Sequence, residues 1–372
     1  MGDGVKLGGL PYLFYKNASE LIHGYDGSIP FHMYLKEKYR ENKNWGSMDR
    51  KRYRACCYHF WRNAVGVSRD NAADILTYLQ THFPAENQTA KQHQDILPYQ
   101  AFENLLSRDL SPQTLQSWFQ TEPVVWIRAI QGKESQVLKA LSLQQIEPLA
   151  HDGPTMAVSA QADLQTITTT GIAYIQDIGS QRAMDWRNLA LSALCTADHK
   201  ILDCCAGSGG KSITLLQNHP KAQIHCTDVR RNILENLQKR FQSLQLLAPK
   251  TQVLNLAEET PSQPFHIVVA DVPCSGSGTW RRNPENLHFF TLPEISLYAQ
   301  KQQQILENLA NAVVAGGYLV YLTCSVFRAE NEDNVAQFLE RHPQYHCIEQ
   351  QFCGGKEHNA DYIYRAVLQK VG

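Results

Sequence analysis

Hydrophobic and polar positions follow one period in the first part of this chain and another beyond residue 177. Over residues 10–85 the apolar residues recur at helical spacing. Leu21, Ile22, Phe31, Met33, Tyr34 and Leu35 form one group, and Tyr53, Cys56, Cys57, Phe60 and Trp61 follow i, i+3, i+4, i+7, i+8. Residues 71–82 predict another helix, and the polar run 86–94 reads as a linker. A helix over 111–120 then leads into a β-branched, alternating stretch at 123–129. With a helix over 133–143 and short strands between 156 and 175, this middle part reads as a small α+β unit.

Beyond residue 177 strands and helices alternate. The pattern predicts a helix over 180–197, a strand at 200–203, a helix to 218, a strand at 223–228 and a helix over 233–247. Strands at 251–256 and 265–271, a helix over 295–314 and a strand at 318–323 follow. Short joints between alternating elements predict a doubly wound, mostly parallel α/β sheet with helices on both faces. The expected division is a helical region 1–85, a linker and α+β subdomain 86–165, and the α/β domain 166–372. Such sheets bind ligands at the carboxyl ends of their strands, and Asp203, Asp228, Asp271 and Cys324 fall at or just past those ends.

Residues 201–216, ILDCCAGSGGKSITLL, form a strand, a small-residue turn and a helix start. Gly207, Gly209 and Gly210 allow close backbone approach to a ligand and present N–H groups where the helix dipole is positive. The spacing is neither GxGxxG nor a phosphate-loop register, so a plain turn also accounts for it. Asp228, at the end of the second strand, suits the two hydroxyls of a ribose; it equally suits a helix N-cap. The fourth strand ends in DVPCSGSGTWRRNP and the last in YLTCS, which brings two thiols to adjoining strand ends. A thiolate is a strong nucleophile near neutral pH.

The formal charge of −1 names no partner, but its distribution is uneven. Lys36, Lys38, Arg40, Lys43, Arg50, Lys51, Arg52, Arg54 and Arg62 face only Glu37, Glu41 and Asp49, with Tyr34, Tyr39, Trp45, Tyr53, Tyr58 and Trp61 interleaved. Basic and aromatic residues at helical spacing suit RNA, through phosphate neutralisation and base stacking. A solvated helix with core aromatics explains the pattern as readily. The ten cysteines include no CxxC pair and no zinc spacing, so neither a metal nor a disulfide framework is expected. No apolar run reaches membrane-span length and the first residues do not read as a secretory signal. A monomeric protein in the reducing cytoplasm is expected.

Three stretches, DCCAGSGGKS, DVPCSGSGTWRRNPE and YLTCSVFRAENE, resemble consecutive motifs of the RNA (cytosine-5)-methyltransferases. These are the Sun/RsmB/RsmF group, related to the nucleolar Nop and NSun proteins. The resemblance runs from about Pro123 through Gln176-Asp177 to Asp361-Tyr-Ile-Tyr-Arg-Ala. Two departures are visible: Gly207-Ser208 stands where the family usually has Ala-Pro, and Glu258 is the acid available where the family has one near position 257.

The resemblance implies a Rossmann-like methyltransferase domain using S-adenosylmethionine. Cys324 is then the nucleophile toward cytosine carbon 6, Cys274 assists release, Asp271 binds the cytosine edge and helps protonate the ring, and Lys211 lies between cofactor and base. Asp203, Cys205, Ala206, Gly207, Ser208, Gly209, Gly210, Lys211, Asp228, Glu258 and Asp271 are implied to hold the cofactor. Arg281 and Arg282 are expected to grip phosphates beside the base, and Arg50, Lys51, Arg52 and Arg54 to bind RNA, small-subunit ribosomal RNA ahead of transfer RNA. The basic N-terminal region resembles a shortened NusB-like RNA-binding part. A nicotinamide-dependent oxidoreductase on the same sheet leaves both thiol motifs unexplained. A ribosome-assembly protein that only binds RNA is the alternative of another class.

Overall fold

A computed structural model describes residues 12–64, 66–83, 98–196 and 198–371. The chain forms two compact units, one of residues 1–103 with 282–290, the other of 104–281 with 291–372. The polar run 86–94 lies outside the described residues.

The first unit contains helices Tyr12–His23, Phe31–Glu41, Ser47–Asn63 and Ala72–His82. Asn71 caps the last of these by accepting the Ala73 N–H at 3.0 Å. Its core is aromatic. Tyr53, Cys56, Cys57, Phe60 and Trp61 are buried at the predicted helical spacing, and Tyr34, Tyr39, Trp45 and Tyr58 pack against them. The aromatics therefore serve the core, the second of the two readings the sequence left open. The cations face outward: Lys51, Arg52 and Arg54 are exposed, while Arg50 is half-buried and donates from Nε to the Trp45 carbonyl at 2.9 Å.

Residues 282–290 also belong to this unit, not to the α/β unit where the sequence places them. The reason is aromatic packing. The short helix Glu285–Phe289 sets the Phe289 ring 5.4 Å from that of Tyr25, and a His288 ring nitrogen lies 2.8 Å from the Trp61 carbonyl.

The second unit holds two sheets. The smaller has strand order β2-β3-β1-β4, with β1 Val124–Ala129, β2 Ala150–Asp152, β3 Thr155–Ser159 and β4 Ala173–Ile175. It runs past the boundary expected at 165, because Ala173–Ile175 pairs with the other edge of β1. The larger sheet is β10-β11-β9-β8-β5-β6-β7. Its strands are β5 Lys200–Cys204, β6 Gln223–Asp228, β7 Lys250–Val253, β8 Phe265–Asp271, β9 Val313–Thr323, β10 Tyr345–Phe352 and β11 Tyr364–Lys370. Strands β5 to β9 pair in parallel, and β11 runs against both of its neighbours.

Alternate residues of the central strands enter two cores. Ile201, Ile267, Val269, Val320 and Leu322 face the helices Gly210–Asn218 and Arg231–Ser243, through Ile213, Leu237 and Phe241. Leu202, Val268, Ala270, Leu319 and Tyr321 face Pro293–Ala310 and Glu332–Arg341, through Ile305, Leu309 and Phe338. Burial on both faces gives the continuous apolar runs of β8 and β9. The chain builds β5, β6 and β7 outward, then crosses back to place β8 on the other side of β5. The carboxyl ends of β5 and β8 flank that reversal, where doubly wound sheets open a ligand crevice.

Two predicted helices change. The one expected over 180–197 is a short helix Ile178–Ala183 followed by a 3₁₀ turn Ala190–Leu194. Arg365 ends the first by donating from Nη1 to the carbonyls of Arg182, Ala183 and Asp185, at 3.1, 3.3 and 3.3 Å. The helix expected over 295–314 stops at Ala310, and the β-branched Val313 and Val314 open β9. No helix among the described residues is long and apolar enough to cross a membrane.

Candidate active site

The turn after β5 is built from left-handed residues: Cys205 and Gly207 at φ 54° and Gly209 at φ 78°. Gly209 is doubly constrained, since a Cβ there would lie 2.7 Å from Leu237 Cγ. The Ala206 N–H reaches the Thr227 carbonyl at 2.8 Å, and the Gly207 N–H reaches Asp228 Oδ2 at 3.1 Å. Asp228 also accepts from the Arg230 backbone N–H and Nε, at 2.9 and 3.0 Å. Burial alone would raise its pKa. The Arg230 guanidinium and N–H and the Gly207 N–H overcome that and hold the carboxyl below the usual aspartate value. Residue Arg230, not Asp228, occupies the cap of the following helix, so the N-cap alternative is not what forms. Gly207 at positive φ suits the first departure from Ala-Pro, and the exposed Ser208 offers its carbonyl and hydroxyl to Arg240 Nη1 at 3.4 and 3.3 Å.

Asp203 sits beneath this turn, fully buried, with the Ser212 hydroxyl donating to Oδ2. Its Oδ1 has no hydrogen-bond partner among the described residues. Burial raises its pKa to about 7, against the Ser212 hydrogen bond and with help from the Asp271 charge. A carboxyl sealed under the loop does not reach a ligand, which corrects its place among the cofactor contacts. Cys205 is half-buried, and burial, ahead of the nearby aspartates, pushes its thiol up to about 12. Ala206 is buried and Gly210 opens the helix.

Across the crevice the predicted chemical groups converge. Lys211 Nζ donates to Asp271 Oδ2 at 2.7 Å. Burial would drain the lysine of its proton, but Asp271, with Cys324 and Asp203 behind it, keeps it charged above its ordinary value. Cys274 Sγ and Cys324 Sγ are 3.0 Å apart, too far for a disulfide and close enough for one thiol to donate to the other. The Cys324 N–H also points to Cys274 Sγ, at 3.3 Å.

Two expected contacts are not brought here. Arg281 is fully buried; its Nη1 donates to Asn359 Oδ1 and its guanidinium lies 5.8 Å from the Trp118 ring centre, so as placed it cannot grip a phosphate at the surface. Arg282 is exposed and belongs to the helical unit. Glu258 is exposed, and its N–H serves a turn with the Asn255 carbonyl at 2.9 Å. Among the described residues no hydrogen bond or ion pair ties its side chain to the loop. Among the described residues no group of three or more His, Cys, Asp or Glu is placed to hold a metal. A groove of about 720 Å³ lies at the amino ends of β6 and β7, lined by Ile224, His225 and Lys250 among others, away from both thiols.

Gln302 and Glu330 are buried polar residues beside the thiol loops that the sequence reading did not single out. Gln302 is fully buried in the apolar stripe of Ile295, Ile305, Leu306 and Leu309, and donates to the Pro273 carbonyl at 2.9 Å. A lone amide inside an apolar helical stripe was the signal available. Glu330 is also fully buried, within the stretch YLTCSVFRAENE.

The sheet order, the glycine turn at the strand reversal and the polar groups at the strand ends define a Rossmann-like methyltransferase fold. The same fold is found in the crystal structure of PH0851, with TM-score 0.78 and 17% identity, covering 97% of this chain and 99% of that one. It is also found in NSun6 from Pyrococcus horikoshii, with TM-score 0.62 and 16% identity, covering 74% of this chain and 97% of that one.

Residues 191–368 match the family model described as 16S rRNA methyltransferase RsmB/F. The chain is 30% identical over 230 residues to ribosomal RNA small subunit methyltransferase B of Yersinia pseudotuberculosis, covering 60% of this chain and 52% of that protein. The protein of the same name from Xanthomonas campestris is also 30% identical over 230 residues, covering 58% and 51%. The chain thus spans about half the length of the curated relatives it matches.

Asp203 gives a pH test. Its folded-state pKa of about 7 exceeds the ordinary 3.8, so its contribution to stability is complete below 3.8 and is lost as pH rises through 7. Asp203→Asn removes that loss. Urea unfolding should find the variant more stable than the parent at about pH 8 and the two converging toward about pH 4. Cofactor affinity should change by less than about twofold, since no ligand hydrogen bond is removed.

Proposed function

We propose that this protein is an S-adenosylmethionine-dependent methyltransferase that forms 5-methylcytosine in RNA. The observation that carries the reading is the pair of thiols 3.0 Å apart at the ends of neighbouring strands, next to the Lys211–Asp271 ion pair. One thiol suffices for many nucleophilic enzymes. A second beside it suits a reaction in which the enzyme must first add to a ring and then be expelled from it.

The glycine turn fits the cofactor. Nothing lies within 4 Å of where a Cβ of Gly207 would be, so the turn leaves open space at a run of backbone N–H groups. Residues 205–211 would hold the amino-acid end, and Asp228, ionised and anchored to that turn, the ribose hydroxyls. When bound, the cofactor supplies an electrophilic methyl group.

The chain's own residues do the rest. The Cys324 thiolate adds to carbon 6 of cytosine, and the ring's electron pair moves to carbon 5, which becomes nucleophilic. Asp271 hydrogen-bonds the base edge, and Lys211 holds that carboxylate in place and favours a thiolate nearby. After methylation, removal of the proton on carbon 5 restores the double bond and expels Cys324 as thiolate; Cys274 assists this step.

Ribosomal RNA of the small subunit is the proposed substrate, supported by the family description and by the names of the relatives, with transfer RNA the second choice. Ten free cysteines suit the reducing cytoplasm. The exposed cations of the helix Ser47–Asn63 would contact phosphates.

The reading is tested on cytosine-containing RNA by mass spectrometry of the product. Cys324→Ala should lower methyl transfer by at least about a thousandfold, as loss of a nucleophile does, with calorimetric cofactor affinity retained. Transfer at a tenth of the parent rate rejects the assignment. Cys274→Ala should instead accumulate a protein–RNA conjugate that survives denaturing gels, needs both RNA and cofactor, and disappears in the double variant. Accumulation in Cys324→Ala alone reverses the two roles. Replacing Lys51, Arg52 and Arg54 by Gln should flatten the dependence of log affinity on log salt by about 0.7 for each phosphate these cations neutralise. An unchanged slope returns them to a solvated face.

A further inference from the structure

The residues that follow both thiols are held by one carboxylate. Ser275 follows Cys274, and its backbone N–H donates to Glu330 Oε2 at 2.9 Å. Ser325 follows Cys324, and its hydroxyl donates to Glu330 Oε1 at 2.6 Å. Gln302 Nε2 adds a third donor to Oε2, at 2.9 Å. The main chain of Glu330 is itself pinned, its carbonyl accepting from Tyr321 OH at 2.6 Å.

All three donors are neutral, and no Lys or Arg forms an ion pair with this buried carboxylate among the described residues. Keeping an unpaired buried charge is costly, and a neutral amide of the same shape satisfies the same three groups. A carboxyl in this place, its two oxygens tied to the loops of both thiols, therefore calls for an explanation beyond packing.

We propose that Glu330 is a positioning residue for the thiol pair: its carboxylate fixes the spacing by tying Ser275 and Ser325 to one group, and its charge opposes a second anion at Cys274, leaving the thiolate to Cys324. The division of labour rests on the methyltransferase reading; the charge asymmetry does not. Other groups facing Cys274 agree with it. Cys324 is its hydrogen-bond partner, and Tyr321 from β9 and Tyr298 from the helix Pro293–Ala310 are phenols that burial keeps neutral. The cation nearby, Lys211, acts on the Cys324 side. The Cys274 thiol is pushed well above its ordinary range by the Cys324 hydrogen bond first, then by burial and by the charges of Cys324 and Glu330.

The experiment is alkylation of the full-length protein by iodoacetamide across about pH 6–10, the range that brackets ordinary thiols, with each cysteine read by peptide mass spectrometry. In the parent protein Cys324 should react at lower pH than Cys274. Glu330→Gln can keep its oxygen toward Ser275 and Gln302 and turn its amide to the Ser325 oxygen. It should move the Cys274 profile to lower pH and narrow the gap, while kcat falls by about a hundredfold, the cost of a misplaced reacting group. Ser325→Ala loosens the tie but keeps the charge, so kcat should fall with the order and position of both profiles retained.

An unmoved Cys274 profile in folded Glu330→Gln overturns the proposal, as does an equal shift in Ser325→Ala. If Glu330→Gln does not fold, Glu330→Asp keeps the charge and shortens the reach. Lower kcat with an unmoved Cys274 profile then supports the proposal, and a profile that moves down overturns it. Labelling uses neither RNA nor cofactor, so failure of the methyl-transfer assay leaves this result standing.

Discussion

The Gly278 N–H donates to the Cys324 carbonyl at 2.8 Å, and the Gly278 carbonyl accepts from Tyr362 at 2.9 Å. Three segments far apart in sequence meet in these two bonds: the loop after β8, the end of β9 and the approach to β11. A Cβ on Gly278 would lie 2.2 Å from the Tyr362 carbonyl oxygen, so no larger residue allows the loops this close. The spacing of the thiols, the path of the loop that carries Cys274 and the burial of Glu330 all depend on that approach. The sheet supplies the strand ends; the glycine lets the loops close over them.

Four carboxyl groups near the crevice are held in four different ways. Asp228 keeps its charge because Arg230 and two backbone N–H groups surround it. Asp271 faces a lysine and is partly open to solvent. Asp203 is sealed in and holds a proton up to about pH 7. Glu330 is met by neutral donors only. Asp203 and Asp228 are both buried, yet burial raises the pKa of the first while Arg230 and backbone N–H groups lower that of the second, so the partners, and not depth, decide between them.

Strands 223–228 and 265–271 were legible to the residue, because apolar runs between a turn and an acid leave little choice. The glycine turn and the meeting of Cys274 with Cys324 were legible too, through strand-end position, whereas the Lys211–Asp271 ion pair was not foreseen. Asp203 was misread because a strand-end acid looks the same whether it points up into the crevice or down beneath the loop. The aromatics around Tyr53 and Trp61 were ambiguous for a related reason, since helical spacing serves a core and a stacking face equally well. Arg281 and Arg282 are adjacent, yet one is buried in the α/β unit and the other exposed in the helical one. Only the tertiary path of the chain separates them. The antiparallel β10 and β11 went unassigned, lying beyond the alternation that revealed the rest.

The excursion of residues 282–290 into the helical unit bears on biosynthesis. A chain emerging from the ribosome has residues 12–83 available early, but His288 and Phe289, whose rings pack on the aromatic core, are translated about two hundred residues later. The first unit to be started is therefore finished only when most of the parallel sheet has already been synthesised. Until then the faces of Tyr25 and Trp61 that receive Phe289 and His288 lack their native cover, and transiently exposed apolar surface of this kind is what makes incomplete folds prone to aggregate.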